Sequence, residues 1–585
     1  MTHRSPGGAH RLMTDLTTQA APAAETDAAA SHTADRATTA SGWRGLDLAV
    51  GTVTALAVIV GALERLWLLV HTPLFGDTAV VGLMGRQIEH GHVLTFYWDQ
   101  SYGGVEPYLV AAVNYVVPGA IGINLTSVLL SGLAAVVVGC IVTELCSDRR
   151  VGWLAGAMAW VWPYAAVWNS ARELGFHFVS LVLGLAMVWM AIRVEHGHTR
   201  DFSMLSLGLV AGLGFWASPE IIYFVLPTAI VLVGSLRRWC SVRRLVILAA
   251  GVLLGALPWL YTNATSGFPS LSTGVAQSQG LGHRFSIFLH DFLPIEFSLK
   301  YLFDGSWVGG STLGKLLFVG AMIVVVASLF GATLLFLRNR KELGLIACGV
   351  GVVTFPFLLS ANSKVTYWID DRYGVDLSFL IVIVVFATAS MLSREGPGVR
   401  PAARHGRWSP PLRTSGVTAA LLVTVAIGTL LTLAQSGVNA QFASTSASLH
   451  SGFDALFSGW HNPDQNLEAS IAEMHRAHIG DAYADYWTAY NIDYLDPSIV
   501  VTPSPLDAIR SQSIFATVQH SAQPAWLFSA PAHITGADLA FGDQQGPGTY
   551  TESSFIAMLR SRGIGSRVVH LGILDAVIPD RPVDL

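Results

Sequence analysis

Long apolar runs alternate with short polar breaks along most of this chain, a pattern that predicts membrane-spanning helices rather than a soluble core. Eleven runs compare with the roughly 20 residues needed to cross a bilayer. They cover about 46–70, 123–146, 151–168, 174–194, 202–218, 220–236, 245–262, 313–337, 343–361, 375–393 and 414–434. The fifth and sixth are short and meet at Ser218-Pro219, as in a tight helical hairpin. The stretch 104–120 is apolar but broken by Pro107 and Pro118. It reads as a helix lying on the membrane surface, with a twelfth span as the alternative.

Beyond residue 435 the period changes. Helix-like Asp464–His475 precedes a strand-like Asp481–Trp487, then Ile499–Thr502, Ala525–Phe528, a helical Ser553–Ser561 and Val568–Leu571. This alternation predicts a small α/β domain over 436–585. Residues 1–43, rich in Ala, Thr, Ser and His, hold no apolar run and read as a disordered tail. The expected organisation is this tail, a helical membrane domain over 44–435, and the C-terminal α/β domain.

Composition agrees with the pattern. The chain is 52% hydrophobic and 12% charged, where soluble domains carry about 25% charged residues. Charge placement predicts orientation. With the N-terminus inside, cytoplasmic breaks hold clusters such as Arg149-Arg150, Arg237-Arg238, Arg243-Arg244 and Arg338 to Lys341. The outer loops hold only Arg86, Arg172, Arg284, Lys300, Lys364 and Arg372. This is the positive-inside asymmetry. An odd number of spans then puts the C-terminal domain outside. That domain carries 15 acidic residues, six arginines and no lysine, which argues against a nucleic-acid partner. The four cysteines, Cys140, Cys146, Cys240 and Cys348, fall in or near apolar runs, so no structural disulfide is expected. Their spacing suggests no metal site.

Candidate chemistry gathers on the predicted outer face. Asp77 follows the first span, and Glu89, Asp99 and Glu106 share its loop. Asn169, Arg172 and Glu173 occupy the next outer loop, with His177 just inside the following span. Lys364 and Arg372 bracket a fourth, aromatic and acidic loop. A carboxylate at a membrane boundary can serve as a general base on a lipid-borne substrate, and cations can hold a phosphate. Plainer readings stand beside these. Asp77 could simply cap the helix that Thr78–Met84 predicts. Arg172 and Glu173 could be a local pair, Lys364 and Arg372 interfacial anchors, and Trp98, Tyr102 and Tyr108 belt aromatics. Tyr483, Tyr486, Trp487 and Tyr490 could stack on sugars, but core packing explains them as well.

The first outer loop reads Gly76-Asp77-Thr78-Ala79-Val80-Val81-Gly82-Leu83-Met84, Ile88-Glu89-His90-Gly91 and Trp98-Asp99-Gln100-Ser101-Tyr102-Gly103-Gly104-Val105-Glu106. It resembles bacterial glycosyltransferases of the GT-C fold, in particular the family 39 group of protein mannosyltransferase and aminoarabinose transferase relatives. Gly212–Pro219, Gly255–Trp259 and Asp371-Arg372-Tyr373 add to the likeness, which spans roughly 45–395. The resemblance implies a polyprenyl-phosphate sugar donor, a glycan, glycolipid or protein acceptor, and single displacement with inversion. It implies Asp77 as base, Glu106 as a second acid, and Arg172, Lys364 and Arg372 as phosphate ligands. Glu173, Tyr102 and Gln100 join them as substrate-binding candidates. It requires no metal, and no cofactor is expected. The family often has Glu where this chain has Thr78.

A transporter or lipid flippase of the same topology is the alternative. It predicts titratable residues deep in the spans, where this chain places few beyond Glu64 and Arg65. A non-catalytic assembly or sensor protein is a third reading. Arginine preference and high Ala, Gly and Val content suggest a bacterial plasma membrane.

Overall fold

The computed structural model describes residues 24–71, 74–268, 270, 280–301, 305–338, 343–361, 372–394, 411–445, 465–530, 546–548 and 550–583. Residues Met1–Thr52 form a unit of their own, represented by the first part of a long helix. The site described below lies wholly in Val53–Leu585. Of the tail expected to be disordered, 1–23 lie outside the described residues and 24–43 fall within the bounds of that helix.

Each predicted span holds helix, but not each is one crossing. The chain begins α1 (Ala24–His71), α2 (Gly76–Glu89), α3 (Glu106–Val116), α4 (Ala120–Cys146), α5 (Arg149–Val161), α6 (Tyr164–Ser170) and α7 (His177–Glu195). Among the described residues seven helices are long and apolar enough to cross a membrane, or eight if one bent pair counts as a span. The chain is a multi-pass membrane protein.

Two of the expected runs are interrupted at or next to a proline. The run 151–168 splits into α5 and α6 at Pro163, whose missing N–H and bulky ring end the first helix. The run 245–262 bends by 61° between Val242–Gly255 and Leu257–Ser266, next to Pro258. The hairpin predicted at Ser218-Pro219 is present, joining Asp201–Ala217 to a short turn and Ile222–Gly234. Its first arm packs on Val242–Gly255 backbone to backbone. A Cβ on Gly212 would sit 2.2 Å from the Val252 carbonyl oxygen, so only small residues permit this approach.

The C-terminal region forms a five-stranded sheet of order β2-β1-β3-β5-β4, from β1 (Asp481–Ala484), β2 (Val500–Pro503), β3 (Ala525–Ser529), β4 (Ser566–Leu571) and β5 (Leu574–Pro579). β1 pairs in parallel with β2 and β3, while β5 runs antiparallel to β3 and β4. The strand expected over Asp481–Trp487 stops early. The Asp485 carboxylate accepts the N–H groups of Trp487 at 2.9 Å and Thr488 at 3.1 Å, which starts a helix, Tyr486–Leu495. The strand β5, buried throughout, was missed because its apolar run lies only two residues after β4.

Helix Tyr486–Leu495 lays its aromatic face on α2. Tyr486, Tyr490 and Tyr494 join Ala79, Val80, Val81 and Met84 in one buried cluster. Trp487 lies 4.5 Å from Phe75, ring to ring. Gly76 and Gly82 make the approach possible. A Cβ on Gly76 would come within 2.7 Å of the Trp487 ring, and one on Gly82 within 2.6 Å of the Tyr494 ring. The C-terminal sheet region is thereby seated on the helix that carries Asp77.

Candidate functional site

Asp77 sits in the first turn of α2, but it is not the cap. The N-cap is Phe75, with no side-chain cap bond, so the capping reading is corrected. The Asp77 carboxylate turns to two partners distant in sequence. Arg372 donates from Nη1 to Oδ2 at 2.8 Å, and the Tyr486 hydroxyl donates to Oδ1 at 2.7 Å. Asp77 is buried. Burial by itself would oppose its charge, but Arg372, the Tyr486 hydrogen bond and the more distant Arg510 outweigh it and hold the carboxyl below the usual carboxylate range.

Two members of this cluster come from the C-terminal region. Tyr486 was noted in the sequence only as an aromatic, and Arg510 not at all. Arg510 donates from Nε to the Tyr486 hydroxyl at 3.4 Å and approaches Asp99 at 3.6 Å. Its backbone N–H donates to the Tyr490 hydroxyl at 2.7 Å, which fixes the turn that presents the guanidinium. No local signal marks Arg510. It is one arginine in a loop, more than 400 positions from Asp77, and only the docking of helix Tyr486–Leu495 brings it in.

The other candidates divide. Arg372 joins Asp77 directly. Arg172 places its guanidinium over the rings of Trp168 at 4.4 Å and Phe75 at 5.1 Å, bracing the start of α2. Tyr102 packs edge-on against Phe176 at 4.9 Å. Burial raises its hydroxyl above the ordinary tyrosine range, and the electrostatics of Tyr373 and Glu220 add to this. Gln100 closes a turn through its backbone N–H, which donates to the Tyr97 carbonyl at 2.9 Å. Lys364 lies outside the described residues.

Glu173 is fully buried. Its carboxylate accepts from Ser127 Oγ at 2.7 Å and from the Gly175 N–H at 3.0 Å. Its backbone carbonyl accepts from Thr78 Oγ1 at 2.7 Å. Thr78, the residue that departs from the family's second acid, thus ties α2 to the Glu173 loop. Glu106, expected to supply a second negative charge, stands apart from the Asp77 cluster. It is fully buried, and among the described residues neither of its carboxyl oxygens meets a hydrogen-bond donor. Burial pushes its carboxyl well above the usual range, and the neighbouring Glu173 and Glu220 push further.

Beside Arg372 a narrow cavity is lined by Asn169, Gly175, His177, Glu220 and Asp376 among others. His177 Nδ1 lies 3.0 Å from Glu220, so His177 is a hydrogen-bonded helix residue. Among the described residues no group of three or more His, Cys, Asp or Glu is placed to hold a metal ion.

The overall fold that carries this cluster has counterparts among solved structures. The crystal structure of ArnT from Cupriavidus metallidurans in the apo state superposes with a TM-score of 0.52 at 13% identity, over 92% of this chain and 98% of that one. The chain has the GT-C fold. The same ArnT bound to undecaprenyl phosphate matches with a TM-score of 0.50 at 14% identity, over the same shares of both chains. Neither a protein-family profile nor a curated protein matches the sequence.

Proposed function

We propose that this chain is a membrane glycosyltransferase that moves a sugar from a polyprenyl-phosphate donor to an acceptor glycan, glycolipid or protein on the extracytoplasmic face, with Asp77 as general base. The observation that carries this reading is the Asp77 cluster. A buried aspartate is held ionised by partners from two parts of a chain whose fold is shared with a protein seen with undecaprenyl phosphate.

The chemistry balances with these groups. The acceptor hydroxyl gives its proton to Asp77 as its oxygen bonds to the anomeric carbon. The anomeric carbon–oxygen bond to phosphate breaks, and the polyprenyl phosphate leaves with the electron pair. Arg372 and Arg510 bring two guanidinium groups to one buried carboxylate, so positive charge remains for the leaving phosphate. The apolar spans hold the lipid tail in the bilayer, and only the head group reaches the site. Arginine-rich breaks on one side of the spans support placing the site outside the plasma membrane, with the N-terminus in the cytoplasm.

The charged pair inside the first span supports this reading over transport. Arg65 donates to Ser170 Oγ at 2.8 Å and lies 3.7 Å over the Trp160 ring, while Glu64 accepts from Ser436. These groups are held by fixed partners and do not form a path.

The test uses purified full-length protein in lipid nanodiscs, a panel of radiolabelled polyprenyl-phosphate sugars and a membrane acceptor fraction. Wild type transfers label from at least one donor. Asp77→Asn loses transfer by roughly 10²–10⁴-fold with its fold intact. Undiminished transfer by Asp77→Asn overturns the base assignment.

A further inference from the structure

The narrow cavity beside Arg372 takes no part in the transfer step, yet it adjoins the residue that pairs with Asp77. Its lining is of two kinds. Leu174, Phe178 and Val375 are apolar, while His177, Glu220 and Asp376 carry polar groups. The polar three come from separate places in the chain: the start of α7, the turn Pro219–Ile221 and the first turn of helix Val375–Arg394. They are not equally engaged. His177 Nδ1 lies 3.0 Å from Glu220 Oε1 and 3.1 Å from Oε2, so these two hold each other. Asp376 is only 7% exposed, and among the described residues no side chain or backbone N–H donates to its carboxyl. Packing does not require an acid there, because its neighbours Val375, Leu377 and Phe379 are buried as apolar groups. A buried carboxyl at the end of a membrane span with no donor of its own points to a ligand that supplies one.

The space limits that ligand. The cavity has room for roughly one water-sized group, so a whole pyranose ring does not enter. A hydroxymethyl arm does. Its methylene suits the apolar wall, and its hydroxyl donates to a carboxyl in either protonation state. A hydroxyl set directly on a ring brings no methylene to cover that wall. In a hexopyranose the arm sits on the carbon that the ring oxygen joins to the anomeric carbon. Seating it beside Arg372 therefore keeps the reacting carbon near the Asp77 cluster.

We infer that this cavity reads the hydroxymethyl arm of the donor sugar, with Asp376 accepting from its hydroxyl, and that the chain selects hexosyl over pentosyl and 6-deoxyhexosyl donors. The inference rests on the reading of this chain as a glycosyltransferase with a polyprenyl-phosphate donor. Glu220 is engaged by His177, which leaves Asp376 as the acceptor that discriminates. A water molecule in the same place is the competing occupant, and it gives no preference among sugars.

Short-chain prenyl-phosphate donors in matched sets test this with the full chain in nanodiscs. One set carries mannose, its pentose counterpart lyxose and 6-deoxymannose. The others carry glucose, xylose and 6-deoxyglucose, and galactose, L-arabinose and 6-deoxygalactose. Binding is measured without acceptor, and transfer with a membrane acceptor fraction. In at least one set the hexosyl donor is preferred in Kd and in kcat/KM by at least about tenfold over both of its partners. Asp376→Ala lowers kcat/KM for that hexosyl donor by at least about tenfold and for the 6-deoxy donor by no more than about threefold, so the preference collapses. Asp376→Asn keeps an acceptor oxygen and retains most of it. Equal constants within every set overturn the inference and leave water as the occupant. An Asp376→Ala variant that weakens hexosyl and 6-deoxyhexosyl donors alike overturns it too, and makes Asp376 structural. Failure of the wider reading looks different. Donors that bind with the hexosyl preference but are never transferred sink the transferase and keep the cavity's role, whereas donors that do not bind sink both.

Discussion

Asp77 and Glu106 lie on neighbouring helices, are both buried, and have their carboxyls pushed in opposite directions. The Asp77 corner supplies an arginine and a phenol, one to each carboxylate oxygen. The Glu106 corner supplies another carboxyl and, among the described residues, no hydrogen-bond donor. Burial acts on both in the same direction, toward the neutral acid. What separates them is the partner set, and each partner set comes from elsewhere in the chain. The lesson is that a loop rich in acids does not identify its base; the donors that converge on one carboxylate do.

The largest way to break this contrast is to make the Asp77 corner resemble the Glu106 corner. Arg372→Gln removes the ion pair. It is expected to cut kcat by at least about 100-fold and to destabilise the protein by up to roughly 3–5 kcal/mol, the cost of breaking a buried pair. Steady-state transfer and thermal unfolding in nanodiscs check both.

A smaller change removes only the phenol. In Tyr486→Phe the Asp77 carboxyl loses a bond that favours its charged form, so its pKa rises. Because Asp77 works ionised, activity is present above its folded-state value and lost as pH falls through it. The acid limb of kcat/KM therefore moves to higher pH by up to about one unit, which corresponds to about 1.4 kcal/mol. Activity near neutral pH changes only a few-fold. A pH profile that does not move would reduce Tyr486 to packing.

Thr78→Val sharpens the comparison instead, because Thr78 connects the two corners. It removes the 2.7 Å bond to the Glu173 carbonyl at nearly constant shape. The expected cost is about 1 kcal/mol of stability, with kcat lowered two- to fivefold and the acid limb unshifted. An acid limb that moved would mean that Thr78 acts on Asp77 electrostatically rather than through position.

Much of this protein was legible in the residue pattern. Apolar run length marked the helices, since crossing a bilayer demands about 20 apolar residues. Asp77 and Arg372 could be named as candidates because charged residues at span ends are conspicuous. The breaks were less visible. Pro163 could have been read as ending a helix, yet the apolar run continues past it and hid the boundary. Asp485 looked like part of a strand until its carboxylate was seen capping the following helix.

The sequence by itself determined which segments must be helical and apolar, because hydropathy and proline act locally and need no knowledge of neighbours. It also supplied the acids from which a base could be chosen. Only the tertiary structure decided which acid has partners that favour its charge. That choice depends on Arg372 and Tyr486, which lie 295 and 409 positions from Asp77, and on Glu173, which leaves Glu106 facing another acid. Electrostatic partners inside a fold act over a few ångströms of space, and nothing in local composition shows which distant residues will fill those few ångströms.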